Sequence, residues 1–387
     1  MVVNQLNMEK KQEEESAKAE CTHHDNNVEL GFIEEVDDEL LLTNQFFPSK
    51  VGGKPVWLDL QGIPSAASLT CKNCGNVMQF LIQLYCPVDG ESACFHRTIY
   101  IFCCRDGQCH QRSAQDCFLV FRSQLPRNNS FYSSQPPDRQ NPQNSYDNSL
   151  LTKWCSLCSL CGIPSEKKCA KCGTPYCCRQ HQVFDWKHGH RENCTSAAKT
   201  PIFASNDYLF PQYDVCIDDD DEDNDNDDAD SKSDHPTDSK LTGENYHDYI
   251  KSDLANQITE ADIKSVEDHN HDEEFLEFKE KIRLQPDQIL RYKRNGIPLW
   301  ISSKDIPSSS DIPGCSCGAK RIFEFQIMPQ LLHYLKIENS QTSIDWGILL
   351  VYTCSKNCLH NNNDKSSNGY MKEFLWRQNY SSAETKS

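Results

Sequence analysis

Apolar residues in this chain come in short bursts separated by long polar stretches. Residues 1–27 are charged and polar with no apolar segment, which predicts a disordered tail. Order is expected from about Leu30-Gly31-Phe32. The stretch Gly52-Gly53-Lys54-Pro55-Val56-Trp57-Leu58 then combines glycines that allow a tight bend with a large core anchor, Trp57. Val77 to Tyr85 and Thr98 to Phe102 are rich in Ile, Leu, Phe and Tyr and read as strands, with Asp89-Gly90 as a turn between them. Residues 127–154 have the Asn, Ser, Pro and Gln composition of a linker, and residues 197–272 predict a second, longer and largely disordered one. Phe275, Phe278 and Ile282 follow at helical spacing, and Pro286 is placed to open a further helix through Ile289 and Leu290. After Gly296 the pattern returns to short strands, including Ile322 to Ile327 and Ile348 to Thr353.

The same order of features occurs twice. Gly52 to Leu58, the pair Cys71 and Cys74 with Gly75, strands, and then Cys104 and Cys109 form the first pass. Asn295 to Ile301, Cys315 and Cys317 with Gly318, strands, and then Cys354 and Cys358 form the second. The expected fold class is α+β. Two β-rich, duplicated halves, residues 28–126 and 273–382, pack as one domain, with the cysteine-dense segment 155–196 inserted between them and a disordered acidic linker behind it.

Composition sharpens this picture. Hydrophobic residues make up 37% of the 387 and mean hydropathy is −0.69, so a good part of the chain is not expected to pack. No stretch approaches the run of about 18 apolar residues needed to span a bilayer, and the polar start offers no signal segment, so no membrane contact and no secretion are expected. In a reducing compartment the 22 cysteines are expected as metal thiolates or buried thiols rather than disulfides. The net charge is −18, and between Asp218 and Asp230 nine Asp and one Glu occur with no Lys or Arg. Such a run reads as a solvated linker or as an acidic lure for a basic partner. Direct binding of nucleic-acid phosphates is not expected of so acidic a chain.

The cysteine-dense segment reads Cys158-x2-Cys161-x7-Cys169-x2-Cys172-x4-Cys177-x3-His181-x8-His190-x3-Cys194. Eight Cys and His side chains suffice for two tetrahedral zinc sites with every position filled, the mark of structural metal. So short a segment cannot bury an adequate core, and bound metal is expected to supply most of its folding free energy. On residue type alone Cys178 competes with Cys177 and His188 with His190, while Cys155 reads as an ordinary thiol. In the terminal halves, Cys71, Cys74, Cys104 and Cys109 form one candidate set for a further Zn2+, and Cys315, Cys317, Cys354 and Cys358 another. Buried free cysteine is the alternative there. Cys103 competes with Cys104, which is preferred because it aligns with Cys354.

With Pro175-Tyr176-Cys177 and the run from His181 to Trp186, the segment resembles a MYND-type zinc finger. That resemblance implies a cross-braced, double-zinc finger with interleaved ligands: Cys158, Cys161, Cys177 and His181 on one Zn2+, and Cys169, Cys172, His190 and Cys194 on the other. It favours Cys177 over Cys178 and His190 over His188. Gln182 and Trp186 match the positions that line a peptide-binding groove in that finger, and Trp186 could equally be the finger's own core aromatic.

The chain as a whole resembles the programmed cell death protein 2 family. The resemblance is carried by LGFIEE at 30–35, GGKPVWL at 52–58, FHRTIYIFCC at 95–104, FRSQLPRNNSFYS at 121–133, the finger, DQILRY at 287–292, CGAKRIFEFQIMPQLLHYL at 317–335 and SIDWGILLVYTC at 343–354. It implies that the two halves share one domain. It also implies a dedicated chaperone in ribosome biogenesis, escorting a newly made small-subunit ribosomal protein, number two in the eukaryotic naming, and working in cytoplasm and nucleus. Neither a Gly-rich phosphate loop nor GxSxG nor HExxH occurs, so an enzyme is not expected. The expected partners are a basic ribosomal protein of the small subunit and other proteins through the finger. The rival expectation is a MYND-finger adaptor or transcriptional regulator that binds proline-containing peptides.

Overall fold

Among the described residues, short segments rich in apolar and β-branched side chains build ten antiparallel strands that close on themselves as a barrel. In chain order the barrel strands are β1 (Glu29–Glu34), β2 (Lys50–Val51), β3 (Gln79–Tyr85), β4 (His96–Cys103), β5 (Phe118–Leu125), β8 (Tyr213–Asp219), β9 (Leu290–Tyr292), β10 (Arg321–Ile327), β11 (Ile348–Cys354) and β12 (Tyr370–Gln378). Around the barrel the order is β1-β8-β2-β3-β4-β5-β12-β11-β10-β9, with β9 returning to β1. The hairpin of β6 (Lys167–Lys168) and β7 (Pro175–Tyr176) belongs to the inserted segment. This structure, a computed structural model, describes residues 28–112, 115–194, 206–219, 272–337, 343–359 and 369–379.

The two halves repeat strand for strand: β2-β3-β4-β5 and β9-β10-β11-β12 each run in order, and β5 joins β12. A bulge interrupts β3 between Phe80 and Ile82 and β10 between the equivalent Phe323 and Phe325. Gln83 on β3 accepts from Val56 N at 2.8 Å and donates back to Val56 O at 3.4 Å. Its counterpart Gln326 accepts from Leu299 N at 2.7 Å and donates to Leu299 O at 3.0 Å. The loops at 52–58 and 295–301 are therefore held by one device used twice.

The last two strands cross over between the halves. β1 precedes the first repeat in sequence but pairs with β9 of the second, and β8 precedes the second but pairs with β2 of the first. β1 and β8 pair with each other from Glu29↔Asp219 to Glu34↔Asp214. Without them β2 and β9 would be open edges with unpaired backbone groups, and closure removes both. Each half thus supplies a strand that the other needs.

Among the described residues the helical share is smaller than an α+β class implies. The short helices are α1 (Gly107–Arg112), α2 (Leu150–Trp154), α3 (Arg179–Asp185) and α5 (Leu331–Tyr334); α4 (Glu273–Leu284) is longer, at 12 residues. α4 is capped by Asp272, whose carboxylate accepts from Phe275 N, and it buries Phe275 and Phe278 as their spacing predicts. The expected helix after Pro286 does not form. Ile289 N donates to Gly31 O and Leu290–Tyr292 becomes β9, because pairing on both flanks outweighs a local helix signal. Inside the stretch expected to be a long linker, residues 213–219 form β8. Tyr213 and Val215 are buried while Asp214 and Cys216 are only half-buried, a strand pattern overshadowed by the acidic composition that follows. Asp218 and Asp219 of the acidic run sit on β8; residues 220–230, like the tail 1–27, lie outside the described residues. The stretch 127–154, of linker composition, packs against the first half. Tyr132 Oη donates to Leu58 O at 2.7 Å and Arg139 to Phe46 O at 3.2 Å.

Two ion pairs are sealed in the barrel. Arg97 on β4 and Glu324 on β10, on strands that are not neighbours, pair across the interior with both side chains fully buried. Burial opposes ionisation of Glu324, but the Arg97 charge and hydrogen bonds from Arg97 and Thr353 outweigh it and hold the carboxyl below the usual carboxylate range. Arg122 on β5 pairs with Glu373 on β12 at 2.8 Å, across the seam between the halves.

Candidate metal centres

One backbone turn is used four times. After Cys71, Cys158, Cys169 and Cys315, the N–H of Gly75, Gly162, Gly173 and Gly318 returns to the cysteine carbonyl at 2.8–2.9 Å. The cysteine N–H then bonds to Asn76 O, Ile163 O, Thr174 O and Ala319 O at 2.7–2.8 Å. The four glycines have φ between +71° and +84°, a region that side chains disfavour, which is the reason for glycine after each knuckle.

Each knuckle turns its two thiols toward a second pair. Cys104 follows β4 and Cys109 lies on α1; Cys354 ends β11 and Cys358 lies just beyond it. In the inserted segment Cys177 follows β7, His181 lies on α3, and His190 and Cys194 follow it. The ligand atoms gather as four sets, each within 4.8 Å: Cys71, Cys74, Cys104 and Cys109; Cys158, Cys161, Cys177 and His181; Cys169, Cys172, His190 and Cys194; Cys315, Cys317, Cys354 and Cys358. The two central sets interleave along the chain.

These distances fit metal better than disulfide. A tetrahedron with metal–sulfur bonds of about 2.3 Å has sulfur–sulfur edges of about 3.8 Å, whereas a disulfide is about 2.05 Å long. The observed separations are 3.7 Å for Cys74–Cys104, 3.5 Å for Cys161–Cys177, 3.8 Å for Cys169–Cys194, 3.4 Å for Cys315–Cys358 and 3.6 Å for Cys317–Cys354. Four sulfur or nitrogen donors per set match the preference of zinc, and every position is filled by protein.

The competing residues have other places. Cys178 caps α3, its sulfur accepting from His181 N at 3.5 Å. His188 stacks on Phe184 at 3.9 Å and bonds to Phe184 O. Cys103 is a buried strand residue, and Cys155 is half-buried outside the sets. The aromatic at the heart of the inserted segment is Tyr176, fully buried; Trp186 is 41% exposed and Gln182 is half-buried.

Supporting groups orient both imidazoles. His181 turns Nδ1 toward Cys177 at 3.1 Å, and its Nε2 meets Tyr208 Oη at 2.9 Å. His190 turns Nε2 toward Cys172 at 3.4 Å, with Asp185 Oδ2 3.9 Å from its Nδ1. Tyr208 is the residue that sequence reasoning missed, since it lies in a stretch of linker composition. It also ties the segment to the barrel, because its carbonyl accepts from Gln79 at 2.7 Å and Arg105 at 2.5 Å. On the other side Trp57 Nε1 donates to Gly162 O at 2.7 Å, and Leu157, Leu160 and Ile163 join the barrel's core. Lys54 is buried beside the Cys158 set. Burial lowers its pKa, and the negative charge of Cys161, Cys158 and Asp185 opposes that shift, as suits a cation set beside thiolates.

The fold and these sets define a β-barrel protein with four closed Cys/His clusters, each able to hold a metal ion. The N-terminal domain of programmed cell death protein 2 matches residues 27–139, and the C-terminal domain of the same family matches residues 272–379. Programmed cell death protein 2 of Bos taurus is 39% identical over 366 residues, covering 92% of this chain and 97% of the relative. That of Rattus norvegicus is 40% identical over 356 residues, covering 91% and 96%. A protein of Schizosaccharomyces pombe named "Probable 20S rRNA accumulation protein 4" is 24% identical over 353 residues, covering 80% and 87%. The chain belongs to the programmed cell death protein 2 family. No solved structure matches it significantly.

Proposed function

We propose that this protein is a non-enzymatic chaperone that holds a newly made, basic ribosomal protein of the small subunit during ribosome biogenesis, in cytoplasm and nucleus. The observation that carries the reading is the relative named for 20S rRNA accumulation, within a family to which the chain belongs. The net charge of −18 supports it, since an acidic surface attracts a free ribosomal protein and competes with stray RNA for it. In this reading each of the four Cys/His sets holds one structural Zn2+, and the segment 155–196 is a MYND-type finger. The thiolates and imidazoles bind the ion, and Tyr208 and Asp185 orient the two histidines.

The test is to isolate the full chain with its natural partner and to measure zinc. A small-subunit ribosomal protein in near-equal amount and four zinc ions per chain are expected. Partners that are transcriptional repressors alone would overturn the reading in favour of a finger adaptor. Trp186 and Val183, both 41% exposed on the finger, favour that second reading.

A further inference from the structure

The repeat gives the two halves equivalent outer faces, and among the described residues only one of them is covered. Matching Gly53 with Gly296 sets Lys54 against Ile297, Pro55 against Pro298, Val56 against Leu299 and Trp57 against Trp300. The bonds from Gln83 and Gln326 hold the two loops in that same register. On the first loop the knuckle of the inserted segment sits so close that a Cβ on Gly162 would stand 2.9 Å from Lys54 Cβ. Lys54 is 6% exposed and Trp57 is sealed, its indole N–H given to Gly162 O.

Among the described residues the second loop has no such cover. Ile297 is 72% exposed, Trp300 is only half-buried, and the Trp300 indole N–H has no hydrogen-bond partner among the described residues. Trp300 and Leu299 pack on a separate apolar cluster with Phe278 and Ile282 of α4 and with Trp376, whose indole bonds to Asp305 O. Leu276 and Leu284 of α4, Ile297, and Ile306 beside Asp305 are four of the seven large apolar side chains exposed among the described residues.

We propose that the face around Ile297 and Trp300 is the seat of the basic client. The occupant is a cationic polypeptide segment that lays bulky apolar side chains on Ile297, Trp300 and α4 and turns a backbone carbonyl to the Trp300 indole. Its shape follows from the covered half, where the Gly162 carbonyl accepts from the Trp57 indole and the neighbouring Leu157, Leu160 and Ile163 enter the same apolar core as Trp57. Its charge follows from what borders the face. The Asp272 carboxylate accepts from Ser302 Oγ at 3.0 Å and Ser303 N at 2.9 Å, directly after Trp300 and Ile301, and Glu273 and Glu274 follow it at the start of α4.

This inference rests on the reading of a basic client and adds where it binds. The test titrates the full chain, its Ile297→Asp variant and its Val183→Asp variant with the purified ribosomal protein. Ile297→Asp alters a side chain that is mostly in solvent, so the fold is kept. A loss of at least ~10-fold in affinity is expected for Ile297→Asp, and less than ~2-fold for Val183→Asp. Equal affinities, or loss with Val183→Asp alone, overturn the proposal. A benzoylphenylalanine crosslinker at position 297 is expected to capture the ribosomal protein; capture of a second copy of this chain, or of its own residues 220–271, overturns it. If no ribosomal protein binds the intact chain, the client reading fails by itself. The face is then tested with a synthetic peptide carrying arginines and two leucines around a central glycine, and with its counterpart in which serine replaces leucine. Binding of the leucine peptide alone, abolished by Ile297→Asp, upholds the site; equal binding of the two peptides or no binding refutes it.

Discussion

With zinc in each of the four sets, as proposed above, replacing Tyr208 with Phe should loosen one centre and leave three untouched. With Zn2+ on His181 Nδ1, which faces the cysteines, the ring would carry its proton on Nε2 and donate it to Tyr208 Oη, 2.9 Å away. Tyr208→Phe removes that acceptor but keeps the ring contacts with His181 and Phe184, both at 4.8 Å between centroids. Its carbonyl bonds to Gln79 and Arg105 are also kept, since they are main-chain. Loss of such a support costs about 10–100-fold in metal affinity, or about 1.4–2.7 kcal/mol. Stranding a buried N–H costs about 1–3 kcal/mol, the same range by an independent route. The assay is transfer of zinc from the full chain to a chelator of graded strength, with an indicator dye. One zinc equivalent should leave at a chelator activity about ten-fold or more below that needed for the intact protein. Unchanged release would refute the support role; earlier release of all zinc together would mean that the variant had loosened the whole fold. Asp185→Asn is the internal comparison. At 3.9 Å from His190 Nδ1 the carboxylate is beyond direct hydrogen bonding, so its effect on the second centre should be smaller.

Three further outcomes follow from the barrel and its charges. Glu324→Gln leaves Arg97 buried without a counter-charge and should cost about 3–5 kcal/mol in denaturant unfolding, while Arg97→Met combined with Glu324→Leu should recover most of it; equal losses in the single and double variants would deny the pair. Lys50 is buried, and desolvation with the nearby Lys54 charge, opposed by Asp214, lowers its pKa to about 7. Between pH 7 and its unfolded value the unfolded chain binds the extra proton, so this group adds stability as pH rises, about 1.4 kcal/mol per unit; Lys50→Met should remove that part of the slope, and an unchanged slope would sink the assignment. Deleting residues 220–230, which spares β8, should slow association with a basic client at low salt and converge with the intact chain at high salt; an unchanged on-rate at low salt would reduce the run to a solvated linker.

Much of the candidate chemistry was legible because cysteine spacing is a local signal. A Cys-x-x-Cys pair, or Cys-x-Cys at Cys315, followed by glycine closes its own turn, so each knuckle forms wherever the sequence places it. The repeat was legible too, since Trp57 and Trp300 stand at matched distances from matched cysteine pairs. β8 was not, because seven residues of alternating pattern precede an acidic run that dominates any composition window. β9 was misread for the converse reason: Pro286 is a true local helix signal, overruled by backbone partners on β1 and β10 that are distant in sequence.

The sequence alone determined which residues can ligate metal, that a cysteine-dense segment interrupts two similar halves, and that the chain is acidic. All of these depend on residue type and short-range spacing. Only the tertiary structure decided that β1 and β8 change places between the halves, and that Arg97 meets Glu324 inside the barrel. It also decided that Tyr208 supports His181, and that, among the described residues, Trp57 is sealed while Trp300 is half-exposed. Each of these joins groups far apart along the chain, and such contacts are set by closure of the barrel and by packing of its faces, which no local pattern encodes.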